Sequence, residues 1–237
     1  MAVDRTLQGL VLGGLVAIGL VWGGSYIKDA AQVWRDANRS VTVKGLAERE
    51  VAANVALWPL HYSVAGNELS GLQAELAQDE ATIREFLEAQ GFDASNISVT
   101  PPQVQDRYAN NYGNSQPEER YSGEATVLLR TPKVSAVKAA LPKTSQLVRE
   151  GVLLSPNYEY RTEFLFTDLE RIKPEMIAEA TADARRAAQQ FAEDSGSRVG
   201  AIKRASQGYF SIEDLDSYTP DLKKVRVVTT IDYALED

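Results

Sequence analysis

The chain has 237 residues, of which 44% are hydrophobic, and a formal net charge of −8. It has no cysteine and a single histidine, His61, which excludes disulfides, thiolate chemistry, Cys-ligated zinc and a multi-histidine metal site within one chain. A face that neutralises phosphates needs a surplus of basic groups, so the acidic balance argues against nucleic-acid binding.

Residues 1–6 form a short tail. Residues 7–27, LQGLVLGGLVAIGLVWGGSYI, carry no charge and lie between Arg5 and Lys28. About 20 apolar residues cross a bilayer as a helix. The run therefore predicts a transmembrane anchor whose apolar surface is Leu7, Leu10, Val11, Leu12, Leu15, Val16, Ile18, Leu20, Val21 and Trp22. A cleaved signal peptide is the alternative, but its apolar region is shorter, ~7–15 residues, and ends at small residues. Ser25-Tyr26-Ile27-Lys28 makes a poor cleavage site. Orientation stays open on charge alone. Lys28, Arg35, Arg39 and Lys44 follow the run and only Arg5 precedes it, which points the remainder at the cytoplasm. The very short tail instead resembles an export signal that leaves the domain outside. Residues 28–40 form a juxtamembrane linker or short helix, with Trp22 and Trp34 suited to the interface.

The water-soluble domain covers 41–237. Val41–Gly45 alternates apolar and polar residues and predicts a short strand ending at Gly45. Residues 49–65 form a longer extended run, in which Pro59 removes a ladder donor and marks an edge or bulge. Asn67 reads as a helix N-cap. Leu69, Leu72, Leu76, Ile83, Phe86 and Leu87 follow at helical spacing, and Gly91 is the stop. Ile97–Thr100 is a strand, closed by Pro101-Pro102. Residues 102–123 have turn chemistry and read as a long loop carrying Tyr108, Tyr112 and Tyr121.

Glu124–Arg130 is a strand. Residues 133–150 form a helix that Pro142 must break or kink, and Gly151 ends it. Residues 157–167 alternate cleanly and predict a half-buried strand with an aromatic stripe. A long helix runs from about Lys173 to Ser195, with Pro174 in its first turn and Gly196 past its end. Its predicted buried stripe is Ile177, Ala180, Ala184, Ala187 and Phe191. Strands at Ala201–Phe210 and Lys224–Tyr233 flank an acidic loop, SIEDLDSYTPD. The order β-β-α-β-β-α-β-α-β-β argues for an α+β class with a mostly antiparallel sheet and about three helices.

No catalytic constellation emerges. There is no Gly-x-Ser-x-Gly elbow and no Gly-rich phosphate loop, and His61 on a strand reads as structural. Glu213, Asp214, Asp216 and Asp221 offer oxygen ligands, yet their spacing lacks the central glycine and closing glutamate of an EF-hand loop. We assign no catalytic, cofactor or metal residues and predict a non-enzymatic protein.

VTVKGLAERE at 41–50 resembles the opening strand of the SIMPL domain (DUF541) family. The resemblance continues through EAQGF, ISVT, RYSGEATVLL and EATADARRAAQQFAEDSGSRVGAI to KKVRVVTTIDYAL, covering about residues 41–235. It implies a SIMPL-like α+β fold and a bacterial envelope protein with loose links to oxidative stress. It also implies a periplasmic domain on an inner-membrane anchor, which decides the orientation, and assembly into a homo-oligomer. It supplies no catalytic residues. Candidate subunit contacts are Tyr108, Tyr112 and Tyr121 in the loop and Val227, Val228 and Tyr233 on the last strand. The alternative is a monomeric module binding a small ligand or envelope partner in a pocket of Trp58, Tyr62 and Tyr158. An enzyme working through carboxylates is a third reading.

Overall fold

The structure is a computed structural model that describes residues 39–109, 117–155 and 158–236. The predicted anchor, residues 28–38 of the predicted linker and Tyr112 lie outside the described residues. Among the described residues no helix is long and apolar enough to cross a membrane.

Strand β1 (Ser40–Ala52) leads to β2 (Val55–Gly66), helix α1 (Leu69–Ala89), β3 (Ile97–Val99), β4 (Gln103–Asp106) and β5 (Tyr121–Thr131). Helices α2 (Val134–Ala140) and α3 (Ser145–Arg149) follow, then β6 (Glu163–Leu165), α4 (Leu169–Asp194), β7 (Arg198–Gln207), β8 (Ser211–Asp214) and β9 (Leu222–Glu236). The class is α+β with antiparallel pairing and three helical stretches, since α2 and α3 are one stretch bent through a 3-10 turn at Leu141–Thr144. Pro142 sits in that turn, where its missing N–H and fixed φ break the α pattern.

Two compact units make up the chain. The larger takes Arg49–Ile172 and Ser211–Val225. Its five-stranded sheet has the order β3-β5-β2-β6, with β4 also on β5. The long β2–β5 pair runs antiparallel from Ala56↔Thr131 to Gly66↔Tyr121. Helix α1 lays Leu72, Leu76, Ile83, Phe86 and Leu87 on one face of this sheet, while Leu69 is exposed. Trp58 meets Phe86 and Phe92 edge-on, each at 6.3 Å between ring centres. Tyr62 is fully buried and donates its hydroxyl to Leu76 O at 3.2 Å. Burial, then the Glu80 and Asp79 charges, pushes its phenol up to about 12. Gly123 lets α1 rest directly on β5, because a Cβ there would come within 2.7 Å of Leu76 Cδ1.

Several sequence expectations change here. Asn67 does not cap α1; its Oδ1 accepts the Arg120 N–H at 3.0 Å, and Glu68 stands at the cap. The loop assigned to 102–123 contains β4, which pairs with β5 from Gln103↔Glu124 to Asp106↔Tyr121. The strand expected over 157–167 shrinks to β6, because Tyr158–Tyr160 closes into a 3-10 turn.

The smaller unit takes Lys173–Phe210 with the described residues of 39–48 and 226–236. Strand β9 lies between β1 and β7. Strand β1 does not stop at Gly45 but runs through it. An added Cβ at Gly45 would clash with the backbone of α4 at Ala180 and Ala184 and would lie 2.8 Å from Ala184 Cβ. The glycine is therefore a seat for the helix, not a strand end. The buried positions of α4 here are Met176, Ala180, Ala184, Ala188 and Ala192, which step by four. At 3.6 residues per turn, steps of four wind the buried stripe slowly around the helix. The predicted stripe followed the 3,4 alternation instead and ended on Phe191, which is 59% exposed. Pro174 lies inside α4, which begins at Leu169.

Candidate functional site

Two places on the larger unit concentrate unusual groups. The first is the base of the hairpin formed by β4 and β5. Arg120 sends Nε and Nη2 to Asp106 Oδ2 at 3.1 and 2.8 Å. Its guanidinium carbon stands 4.9 Å from the Tyr121 ring centre and 5.8 Å from that of Tyr108, within the range of cation–π attraction. The Arg107 N–H donates to Arg120 O at 2.8 Å, and Tyr108 N–H donates to Asp106 Oδ1 at 3.0 Å. Hydrogen bonding from Arg120 holds the Asp106 carboxyl below the usual carboxylate range. Two candidate contact residues, Tyr108 and Tyr121, are thus clamped to one arginine. Sequence reasoning missed Arg120. The available signal was Asp106 and Arg120 bracketing a turn-rich segment as opposite charges.

The remaining contact candidates lie elsewhere. Val227 and Tyr233 are buried in the smaller unit and Val228 is half-buried. Strand β9 is flanked by β1 and β7. The hydroxyls of Tyr233 and Thr229 are buried without a hydrogen-bond partner among the described residues.

The second place is a cleft beside β2. Along a strand, successive residues turn their backbone polar groups to opposite edges, so Leu57, Pro59, His61 and Ser63 turn theirs to one side. On that side Leu57 pairs with Glu163 of β6. Further along, Ser155 N–H donates to His61 O at 2.9 Å and Ser63 N–H donates to Leu153 O at 3.1 Å. Pro59 has no N–H to offer, which leaves a gap in the ladder on this side. On its other side Pro59 stands in register with Leu128 of β5, and β2 is an inner strand between β5 and β6.

The gap forms a cleft of about 640 Å³. Leu60, Leu141, Val148 and Leu154 supply apolar walls, and Tyr160, Arg161 and Thr162 supply a polar side. His61 lines it too. Its Nδ1 is 2.9 Å from Thr126 Oγ1, its Nε2 is 3.5 Å from Glu124 Oε2, and its ring stacks on Tyr160 at 3.8 Å. Both ring nitrogens thus face side-chain oxygens of β5. Of the pocket trio expected from sequence, Trp58 lines the cleft, Tyr62 points into the core, and the side chain of Tyr158 lies outside the described residues.

The acidic loop does not gather its carboxylates. Asp214 pairs with the buried Lys223, and Asp221 with Lys138 at 2.7 Å. Asp216 accepts from Thr219 Oγ1 at 2.8 Å and from the N–H groups of Tyr218 and Thr219, which lowers its pKa.

A family model described as SIMPL, protein of unknown function (DUF541), matches residues 41–227. The chain belongs to the SIMPL family. The match takes in both sites on the larger unit, the hairpin base and the Pro59 cleft. No curated protein matches this SIMPL chain.

Proposed function

We propose that this SIMPL protein is a non-enzymatic scaffold, tethered by residues 7–27 to the bacterial inner membrane with its domain in the periplasm, and self-associating there. The observation that carries the reading is the hairpin base, where Tyr108 is 37% exposed beside the Arg120 clamp. Aromatic and arginine side chains held in place contribute strongly to protein contacts, since little entropy is lost when they are buried. Tethering in one plane raises the effective concentration of neighbouring copies, so weak contacts suffice. Strand β7 adds support: it is at the end of its sheet and most of its residues are exposed. Light scattering on gently extracted full-length protein tests the proposal. A multi-subunit mass that Tyr108→Ala with Arg120→Ala reduces supports it. A monomeric mass for the unsubstituted protein at micromolar concentration refutes it.

A further inference from the structure

We propose that the pocket between β6 and the β8–β9 turn binds a neutral polyhydroxylated ring, a sugar, independently of any self-association. The pocket lies wholly within the larger unit. Its volume of about 480 Å³ falls in the ~300–1,000 Å³ range of small-molecule sites. Thr162, Glu163 and Leu165 line it from the β6 segment, and Asp214, Ser217 and Lys223 from around the turn.

The Lys223 ammonium is the unusual group. Its side chain is 9% exposed, and its partner among the described residues is Asp214. An ammonium carries three N–H donors, so that pairing leaves two to fill. Buried charged donors left unfilled are costly, and a ligand that brings hydroxyl oxygens into the pocket removes the cost. Acceptors stand beside this donor. Asp214 meets Lys223 through Oδ1, which leaves Oδ2 to accept. Glu163 Oε1 is 4.0 Å from Arg161 Nε, too far for a hydrogen bond. The Ser217 and Thr162 hydroxyls can donate or accept.

The charged lining is balanced, with Lys223 and Arg161 against Asp214 and Glu163. Arg161 is engaged with Glu163 and elsewhere, and it is not counted as a donor to the ligand. An anion meets two carboxylates here and a cation meets two basic groups. A ring of hydroxyls, each able to donate and accept, satisfies both kinds of group without breaking the Lys223–Asp214 pair. Leu165 and Pro220, both half-buried, add apolar surface for its C–H face. The turn is already held in shape. Asp216 accepts from Thr219 Oγ1 and from two N–H groups, and the Leu215 N–H donates to Leu222 O at 2.9 Å, so binding has little ordering left to impose.

Saturation-transfer NMR on the full chain in lipid nanodiscs tests this, with empty nanodiscs subtracted. The probes are the methyl glycosides of glucose, galactose and mannose, set against glucuronate, glucosamine and the hydroxyl-poor tetrahydropyran-2-methanol. At least one glycoside binds saturably, and each of the other three compounds binds roughly fivefold or more weakly than it does. Lys223→Met removes the donors and weakens the glycoside roughly tenfold. Ser217→Trp, at an exposed position, fills the pocket and abolishes saturable binding while Tm is unchanged. Should Lys223→Met fail to fold, Ser217→Trp carries the test alone. Absence of saturable binding by all three glycosides overturns the proposal, as does equal binding of a charged or hydroxyl-poor compound or undiminished glycoside binding by Ser217→Trp.

Discussion

Replacing Gly45 by alanine adds a single methyl group, and the structure gives that methyl nowhere to go. It would lie 2.8 Å from Ala184 Cβ and would clash with the Ala180 carbonyl oxygen and the Ala184 nitrogen. Two of these three atoms are helix backbone, so no rotamer change relieves the contact. Either β1 or α4 must shift, and the alanines along α4 lose their close fit with it. Overpacking of this kind costs about 1–3 kcal/mol. Alanine regains part of that through lower unfolded-state entropy, roughly 0.4–1 kcal/mol. The net expectation is a loss of about 1–2 kcal/mol, which for a chain of this size lowers Tm by roughly 2–8 °C. Gly66→Ala is the matched control, because nothing lies within 4 Å of a Cβ there. Thermal unfolding of the full-length protein, followed by circular dichroism, reads both variants. Ala184→Gly placed in the Gly45→Ala background should recover only part of the loss, since the backbone clashes persist. A Gly45→Ala protein as stable as the parent refutes the account of Gly45 as the seat of the helix.

Two further outcomes follow from the same geometry. In Arg120→Ala the Asp106 carboxyl returns toward its ordinary pKa, measured by carboxyl-carbon NMR titration; an unchanged value in the variant contradicts the clamp. Because the folded pKa of Asp106 lies below its unfolded value of about 3.9, the pairing stabilises above that pH and is lost as pH falls through the folded pKa. On α4, Phe191→Ser changes stability by no more than about 0.5 kcal/mol. Ala188→Leu, at a fully buried position, costs about 1–3 kcal/mol, and the reverse order in chemical denaturation sinks the winding-stripe description.

The α+β class, helix α1 and the broken helix at Pro142 were legible because each depends on local chemistry. Gly91, Gly151 and Gly196 were read as stops, and all three have positive φ, at 86, 98 and 67°. Strands β4 and β8 were not legible. Both are four residues long and polar, and β4 owes its pairing to β5, whose register is not encoded within Gln103–Asp106. The run at 157–167 misled because alternation of aromatics signals burial without naming the partner. Tyr160 finds the His61 ring and not the sheet core. The stripe on α4 misled because small residues lie on several faces of that helix, and the residues that bury one of them, Gly45 and Val43 on β1 and Ile231 and Tyr233 on β9, are distant in sequence. At the cleft, Pro59 was legible as a break in the ladder, but Arg161 was one charge among many until the fold placed it in the lining.

The smaller unit draws its strands from stretches far apart in the sequence. Thr42 on β1 donates to Asp232 on β9 across 190 residues of sequence. During synthesis, β1 emerges early and has no strand neighbour until β9 appears. The larger unit needs far less waiting, since residues 49–172 supply every strand of its five-stranded sheet. Long-range closure is slow compared with local pairing. Once β6 is made and before β9 appears, the nascent chain carries one sheet assembled and β1 without its strand partner, a window in which a chaperone or a neighbouring copy can reach that strand first.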